Sequence, residues 1–125
     1  MKNSSSMGNH YLVELYGCNS EEINSEKFLK KALSSSVEKM PIRVLDSSFH
    51  TFKPQGVTGF LLLSASHISI HTWPERGYVA FDIFTCSNEK VTKEILEHIL
   101  NSLQHAHLQK KFFKRGYVFN DLKTS

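Results

Sequence analysis

The chain has 125 residues, enough for one domain with its own core and too few for two. Its 40% hydrophobic and 22% charged content is globular and excludes a disordered chain. The formal net charge of +3 is spread over scattered lysines, which excludes a nucleic-acid footprint; the densest basic run, Lys110-Lys111 with Lys114-Arg115, reads as a solvated strand edge. Cys18 and Cys86 make no disulfide framework, Met1 to Asn9 lacks the apolar stretch of a signal peptide, and no apolar run approaches the roughly 18 residues of a membrane span. The expectation is a soluble chain in the reducing cytoplasm, with no membrane partner.

In chain order, His10 to Tyr16 is apolar and β-prone and stops at Gly17, which predicts a first strand. Asn19 and Ser20 offer helix caps, and Glu21 and Glu22 suit the positive end of a helix dipole. Phe28, Leu29, Ala32 and Leu33 then repeat at the spacing of a buried helical stripe. Ile42 to His50 and Val57 to Ser64 read as strands divided by a turn at Pro54-Gln55-Gly56. His67 to Thr72 alternates, so Ile68 and Ile70 face one way while His67, Ser69 and His71 face the other. Tyr78 to Phe84 is a further strand. Asn88 or Thr92 caps a second helix with Ile95, Leu96, Ile99, Leu100 and Leu103 on its apolar face, and Phe112 to Phe119 closes the sheet. The pattern reads as two similar halves, each a strand, a helix and further strands. Strands outnumber helices and lie in adjacent runs. The expected class is therefore α+β: a two-layer sandwich, an antiparallel β-sheet with helices packed on one face, in a single domain over 1–125.

The segment Ser64-Ala65-Ser66-His67-Ile68-Ser69-Ile70-His71-Thr72-Trp73-Pro74-Glu75, with Cys86 close behind, gathers hydroxyl, imidazole, carboxylate and thiol groups. These are the groups of nucleophilic and acid–base chemistry. On a strand His67 and His71 share a face but stand roughly 13 Å apart, too far to share an ion. With His50 and Cys86 they match no zinc spacing, and no metal is expected. A serine hydrolase is disfavoured by the absence of a Gly-x-Ser-x-Gly elbow. His98, His105 and His107 read as surface residues on or just past the second helix, and Cys18 as a small buried hydrophobe. Taken alone, Phe52 and Trp73 read as core aromatics and Glu75 as a solvated loop acid.

In order and spacing, however, these residues resemble the prokaryotic S-adenosylmethionine decarboxylase proenzymes, the small pyruvoyl-dependent type. The likeness runs from His10 to Arg115. It is carried by His10-Tyr11-Leu12-Val13-Glu14-Leu15-Tyr16-Gly17-Cys18, by Ser47-Ser48-Phe49-His50 with Phe52, and by Pro54-Gln55-Gly56-Val57-Thr58-Gly59. It is densest over Ser66 to Glu75, followed by Gly77-Tyr78 and Asp82-Ile83-Phe84-Thr85-Cys86. Several ordered segments are far more specific than one short motif.

The resemblance implies the fold of that family and an enzyme that makes its own cofactor. Autocatalytic serinolysis at Ala65-Ser66 would give a β chain of 1–65 and an α chain of 66–125 that begins with a covalent pyruvoyl group. That group forms a Schiff base with S-adenosylmethionine, and pyridoxal phosphate and metal are not needed. By the same likeness Ser66 is the pyruvoyl precursor, His71 assists processing with the Thr58 hydroxyl, and Cys86 is the proton donor. Phe52 and Trp73 sandwich the adenine and Glu75 takes the ribose hydroxyls. The product would be the aminopropyl donor for spermidine, made by a homodimer of processed αβ units with sites at the subunit interface. Besides Thr58, which keeps the hydroxyl of the family's usual serine, two positions depart from the family. Ala65 stands where glutamate is usual, and Arg76 where an uncharged or aromatic residue is usual. Those departures keep two alternatives in view: a pyruvoyl-dependent decarboxylase of arginine or ornithine, and an unprocessed, non-catalytic homologue.

Overall fold

Alternating apolar residues can make one face of a sheet dry, and two amphipathic helices can cover it. That arrangement is present in a computed structural model of the chain, which describes residues 6–117. The elements are β1 (Ser6–Tyr16), α1 (Glu26–Val37), β2 (Val44–Thr51), β3 (Val57–Leu63), β4 (Ser66–Trp73), β5 (Tyr78–Thr85), α2 (Glu89–Ser102) and β6 (His107–Tyr117), with short 3-10 turns at Glu22–Asn24 and Pro74–Arg76. The strands form one antiparallel sheet in the order β2-β3-β4-β5-β1-β6. This is the two-layer α+β sandwich expected from the sequence. The two halves are interleaved rather than side by side, because β1 inserts between β5 and β6.

The core lies between one sheet face and the helices. Val13, Leu15, Leu61, Ile68, Ile70 and Ile83 from the strands meet Leu29 and Leu33 of α1 and Ile95 and Ile99 of α2. Leu33 is fully buried. Leu33→Ala is expected to cost about 2–5 kcal/mol, read as a lowered urea midpoint with an unchanged slope.

Local chemistry fixes the element ends. Asn88 caps α2, its Oδ1 accepting from the Val91 N–H at 2.9 Å. Thr92 lies inside that helix instead, its buried hydroxyl 2.7 Å from that of Thr85. The expected cap at Asn19 or Ser20 is corrected. Asn19 Oδ1 accepts from the Glu22 N–H and opens the 3-10 turn, whereas Ser25 Oγ accepts from the Phe28 N–H and caps α1. Three strands, the interior β1 and the two edge strands β2 and β6, also start away from the expected residue. β1 starts at Ser6 rather than His10, β2 at Val44 rather than Ile42, and β6 at His107 rather than Phe112. Edge strands carry polar residues and lysines that weaken a strand signal, as Lys110 and Lys111 do. Phe119 lies outside the described residues.

Among the described residues, no helix covers the other face of the sheet. That face carries Leu12, Phe60, Leu62 and Phe113, each more than 40% exposed, together with Trp73 and Tyr16. Among the described residues, no helix is long and apolar enough to cross a membrane.

Candidate active site

The turn between β3 and β4 is Ser64-Ala65, since Leu63 pairs with Ser66. It is held from both sides. The Ser64 N–H donates to the Arg43 carbonyl at 2.8 Å, and Ser64 Oγ accepts from the Arg43 N–H at 3.0 Å. The Ala65 carbonyl accepts from the Cys86 N–H at 2.9 Å. Ser66 Oγ is buried and has no hydrogen-bond partner among the described residues. Leaving a buried hydroxyl unpaired is costly, so this atom calls for an explanation. A polarised carbonyl and an unpaired hydroxyl thus sit on consecutive residues. Cys86 is brought alongside because β5 runs next to β4 with Thr85 opposite Ser66. Its thiol is exposed, on a cleft of about 320 Å³ that Asn9, Ser87 and Asn88 also line.

At the opposite end of β4 is a second cleft, of about 260 Å³, lined by Phe52, Gln55, Thr58, His71, Trp73 and Glu75. Thr58 Oγ1 lies 3.1 Å from His71 Nδ1. Phe52 and Trp73 are 48% and 39% exposed, so neither is a core aromatic. The Phe52 N–H donates to the Gly56 carbonyl at 2.7 Å across the turn after β2. Asn24 Oδ1 accepts from the Gly56 N–H at 2.8 Å and holds that turn in place. The Thr72 hydroxyl, buried beneath, donates to the Ile23 carbonyl and accepts from the Val57 N–H. Trp73 packs on Tyr78, with ring centres 5.0 Å apart, and Tyr78 stacks on Tyr16. The Tyr78 hydroxyl donates to Glu14 at 2.6 Å. That bond, with burial and the Glu14 charge, pushes its pKa up to about 12 and keeps it a phenol. Gly77, at φ 60°, ends the turn that carries Glu75. Arg76 on the same turn is exposed and does not line the cleft.

Ala65, Ser66 and Cys86 are therefore brought together, as are Phe52, Thr58, His71, Trp73 and Glu75. The two groups are not brought to each other within one chain. Five residues of extended strand separate Ser66 from His71, about 16 Å.

One cluster escaped the sequence reading. Asp82 accepts from His10 Nε2 at 2.7 Å, from His67 Nε2 at 3.1 Å and from the Ser69 hydroxyl. Arg115 Nη1 donates to His10 Nδ1 at 2.7 Å. The members come from β1, β4, β5 and β6, so only the register of the finished sheet assembles them. Burial pushes the Asp82 carboxyl upward, but the hydrogen bonds from Ser69, His10 and His67 outweigh it and hold its pKa below the usual value. His10, His67 and Asp82 have donor atoms within 4.8 Å of one another, a spacing compatible with a cation. The arrangement fits protons better. With Nδ1 accepting from Arg115, a neutral His10 carries its proton on Nε2 and has no lone pair left for an ion.

The remaining candidates are structural. His98 bonds Ser35, His105 bonds the Leu103 carbonyl, and His107 begins β6. Cys18 is partly buried, and burial pushes its thiol pKa up.

Comparison with known proteins identifies the family. Residues 9–116 match the family model described as S-adenosylmethionine decarboxylase. The chain is 41% identical over 112 residues to the S-adenosylmethionine decarboxylase proenzyme of Sulfurihydrogenibium sp. (strain YO3AOP1), covering 90% of this chain and 84% of that one. It is 37% identical over 119 residues to the proenzyme of Caldicellulosiruptor saccharolyticus, covering 95% and 96%. The crystal structure of the adenosylmethionine decarboxylase from Aquifex aeolicus superposes with a TM-score of 0.86 at 32% identity, covering 91% of this chain and 94% of that one. The chain belongs to the S-adenosylmethionine decarboxylase family.

Proposed function

We propose that this chain cuts itself between Ala65 and Ser66 and then decarboxylates S-adenosylmethionine to an aminopropyl donor for spermidine synthesis. The observation that carries the reading is the Ser66 hydroxyl, buried and unpaired beside a carbonyl held by the Cys86 N–H.

In the cut, Ser66 Oγ bonds to the Ala65 carbonyl carbon and gives its proton to a base. The negative charge that develops on the Ala65 oxygen is met by the Cys86 N–H already aimed at it. The peptide C–N bond then breaks and the freed amine takes a proton, leaving an ester. Loss of the Ser66 α-proton expels the Ala65 carboxylate. Hydration and release of ammonia leave a pyruvoyl group at position 66. The residues present fit that group, since Ser66 Oγ makes no hydrogen bond among the described residues that its conversion would break. The pyruvoyl carbonyl supplies the electron sink that takes up a substrate amine and the electron pair left by carbon dioxide. The exposed Cys86 thiol is the group that returns a proton to the substrate carbon in this reading. Phe52 and Trp73 offer flat faces for adenine, and the Glu75 carboxylate suits the ribose hydroxyls.

The separation along β4 calls for a second copy. A two-fold axis lying between two uncovered sheet faces, and running across the strands, sets the Ser66 end of one β4 against the Trp73 end of the other. Leu12, Phe60, Leu62 and Phe113 would become buried in that contact. Thr58 and His71 of one copy then serve the Ser66 of its partner, His71 accepting the hydroxyl proton. The free Cys18 and Cys86 thiols suit the cytoplasm.

Carbon dioxide release from carboxyl-labelled S-adenosylmethionine, arginine and ornithine tests the reaction. Only the first is expected to turn over, and turnover of arginine or ornithine instead would overturn the substrate assignment. Glu75→Gln is expected to raise KM about 10–100-fold with little change in kcat, read by steady-state kinetics.

A further inference from the structure

We infer that the Asp82 cluster is a tether that holds the pyruvoyl-bearing strand end in place after the chain is cut. This rests on the self-cleavage reading above. Before the cut, β4 is held at its start by a continuous chain through Ala65. After it, Ser66 becomes a terminus, and the termini of strands fray unless tied down. The side chain next to that terminus is His67, and it is anchored twice. Its Nε2 donates to Asp82 at 3.1 Å, and its ring stacks on Phe84 at 5.9 Å between centres.

Asp82 is itself immobilised. It accepts from Ser69 on β4 and from His10 on β1, and Arg115 on β6 fixes His10. One chain of hydrogen bonds therefore links four adjacent strands to the residue beside the new terminus. Asp82 is only 19% exposed, so water competes weakly for its oxygens. His67 is a positioning residue here. It keeps the terminal carbonyl beside Cys86, and a misplacement of an ångström or so at a reacting group lowers turnover on the order of 100-fold.

The test compares His67→Leu, His67→Gln and Asp82→Asn with the parent chain, each also carrying Ser66→Ala as an uncut reference. Fragment masses read the cut, and amide hydrogen exchange of residues 67–70 reads the strand end. His67→Leu and Asp82→Asn are expected to cleave normally, yet to exchange these amides about tenfold faster or more once cut, with kcat reduced and KM little changed. In the uncut reference the same substitutions leave exchange nearly unchanged. His67→Gln, whose amide N–H can replace the imidazole donor, restores both exchange and kcat. Equal acceleration in cut and uncut chains, or no rescue by glutamine, would overturn the tether. Failure of the parent chain to cleave would overturn the self-cleavage reading instead, so the two failures are distinguishable.

Discussion

Mixing two inactive variants, Cys86→Ala and Trp73→Ala, is expected to restore about a quarter of wild-type decarboxylation after the subunits are allowed to exchange. Cys86 stands at the Ser66 end of β4 and Trp73 at the far end, too distant to serve one substrate from one chain. If each site takes one end from each copy, a mixed dimer holds one site with both defects and one with none. Random pairing makes half of the dimers mixed, and each contributes half of its sites. Recovery of only the sum of the two parental activities would mean that the sites do not combine residues from two copies. Mass-action dilution of the wild type adds a second reading, since activity is then lost together with the dimer.

Cys86→Ala alone is expected to separate two roles of one residue. Its main-chain N–H contacts the Ala65 carbonyl whatever the side chain, so the cut should proceed to completion. Its thiol is the proton donor in the proposed turnover, so kcat should fall about 10²–10⁴-fold. The pairing of full cleavage with collapsed turnover is read by fragment masses and by carbon dioxide release on the same sample. Loss of cleavage as well would place the thiol, rather than the main chain, in the processing step.

The strands and helices were legible because alternation and the 3.6-residue period record burial, and Ile68, Ile70, Leu29 and Leu33 are buried as those patterns require. Edge strands were legible only in part, because Lys110 and Lys111 answer to solvent rather than to a core. The first helix cap was misplaced because Asn19 and Ser25 offer the same chemistry, and only the intervening 3-10 turn assigns each to its own element. The family segments pointed to the candidate site residues. The strand read over His67 to Thr72 already implied that Ser66 and His71 stand far apart, yet the resemblance drew both into one site. The Asp82 cluster had no linear signal at all, since its members are neighbours across strands. Arg76, a departure from the family in sequence, lies outside the cleft, and Ala65 is exposed and meets Cys86 through its carbonyl. A side-chain change at Ala65 therefore leaves that contact standing.

Self-cleavage is read most directly from the intact mass of the freshly purified chain under denaturing conditions, beside Ser66→Ala. Two fragments are expected, residues 1–65 and 66–125. The second should lack its terminal amine and carry a carbonyl that reacts with hydroxylamine, while Ser66→Ala stays whole. A wild-type chain that remains a single 125-residue species through prolonged incubation would contradict self-cleavage at Ala65-Ser66.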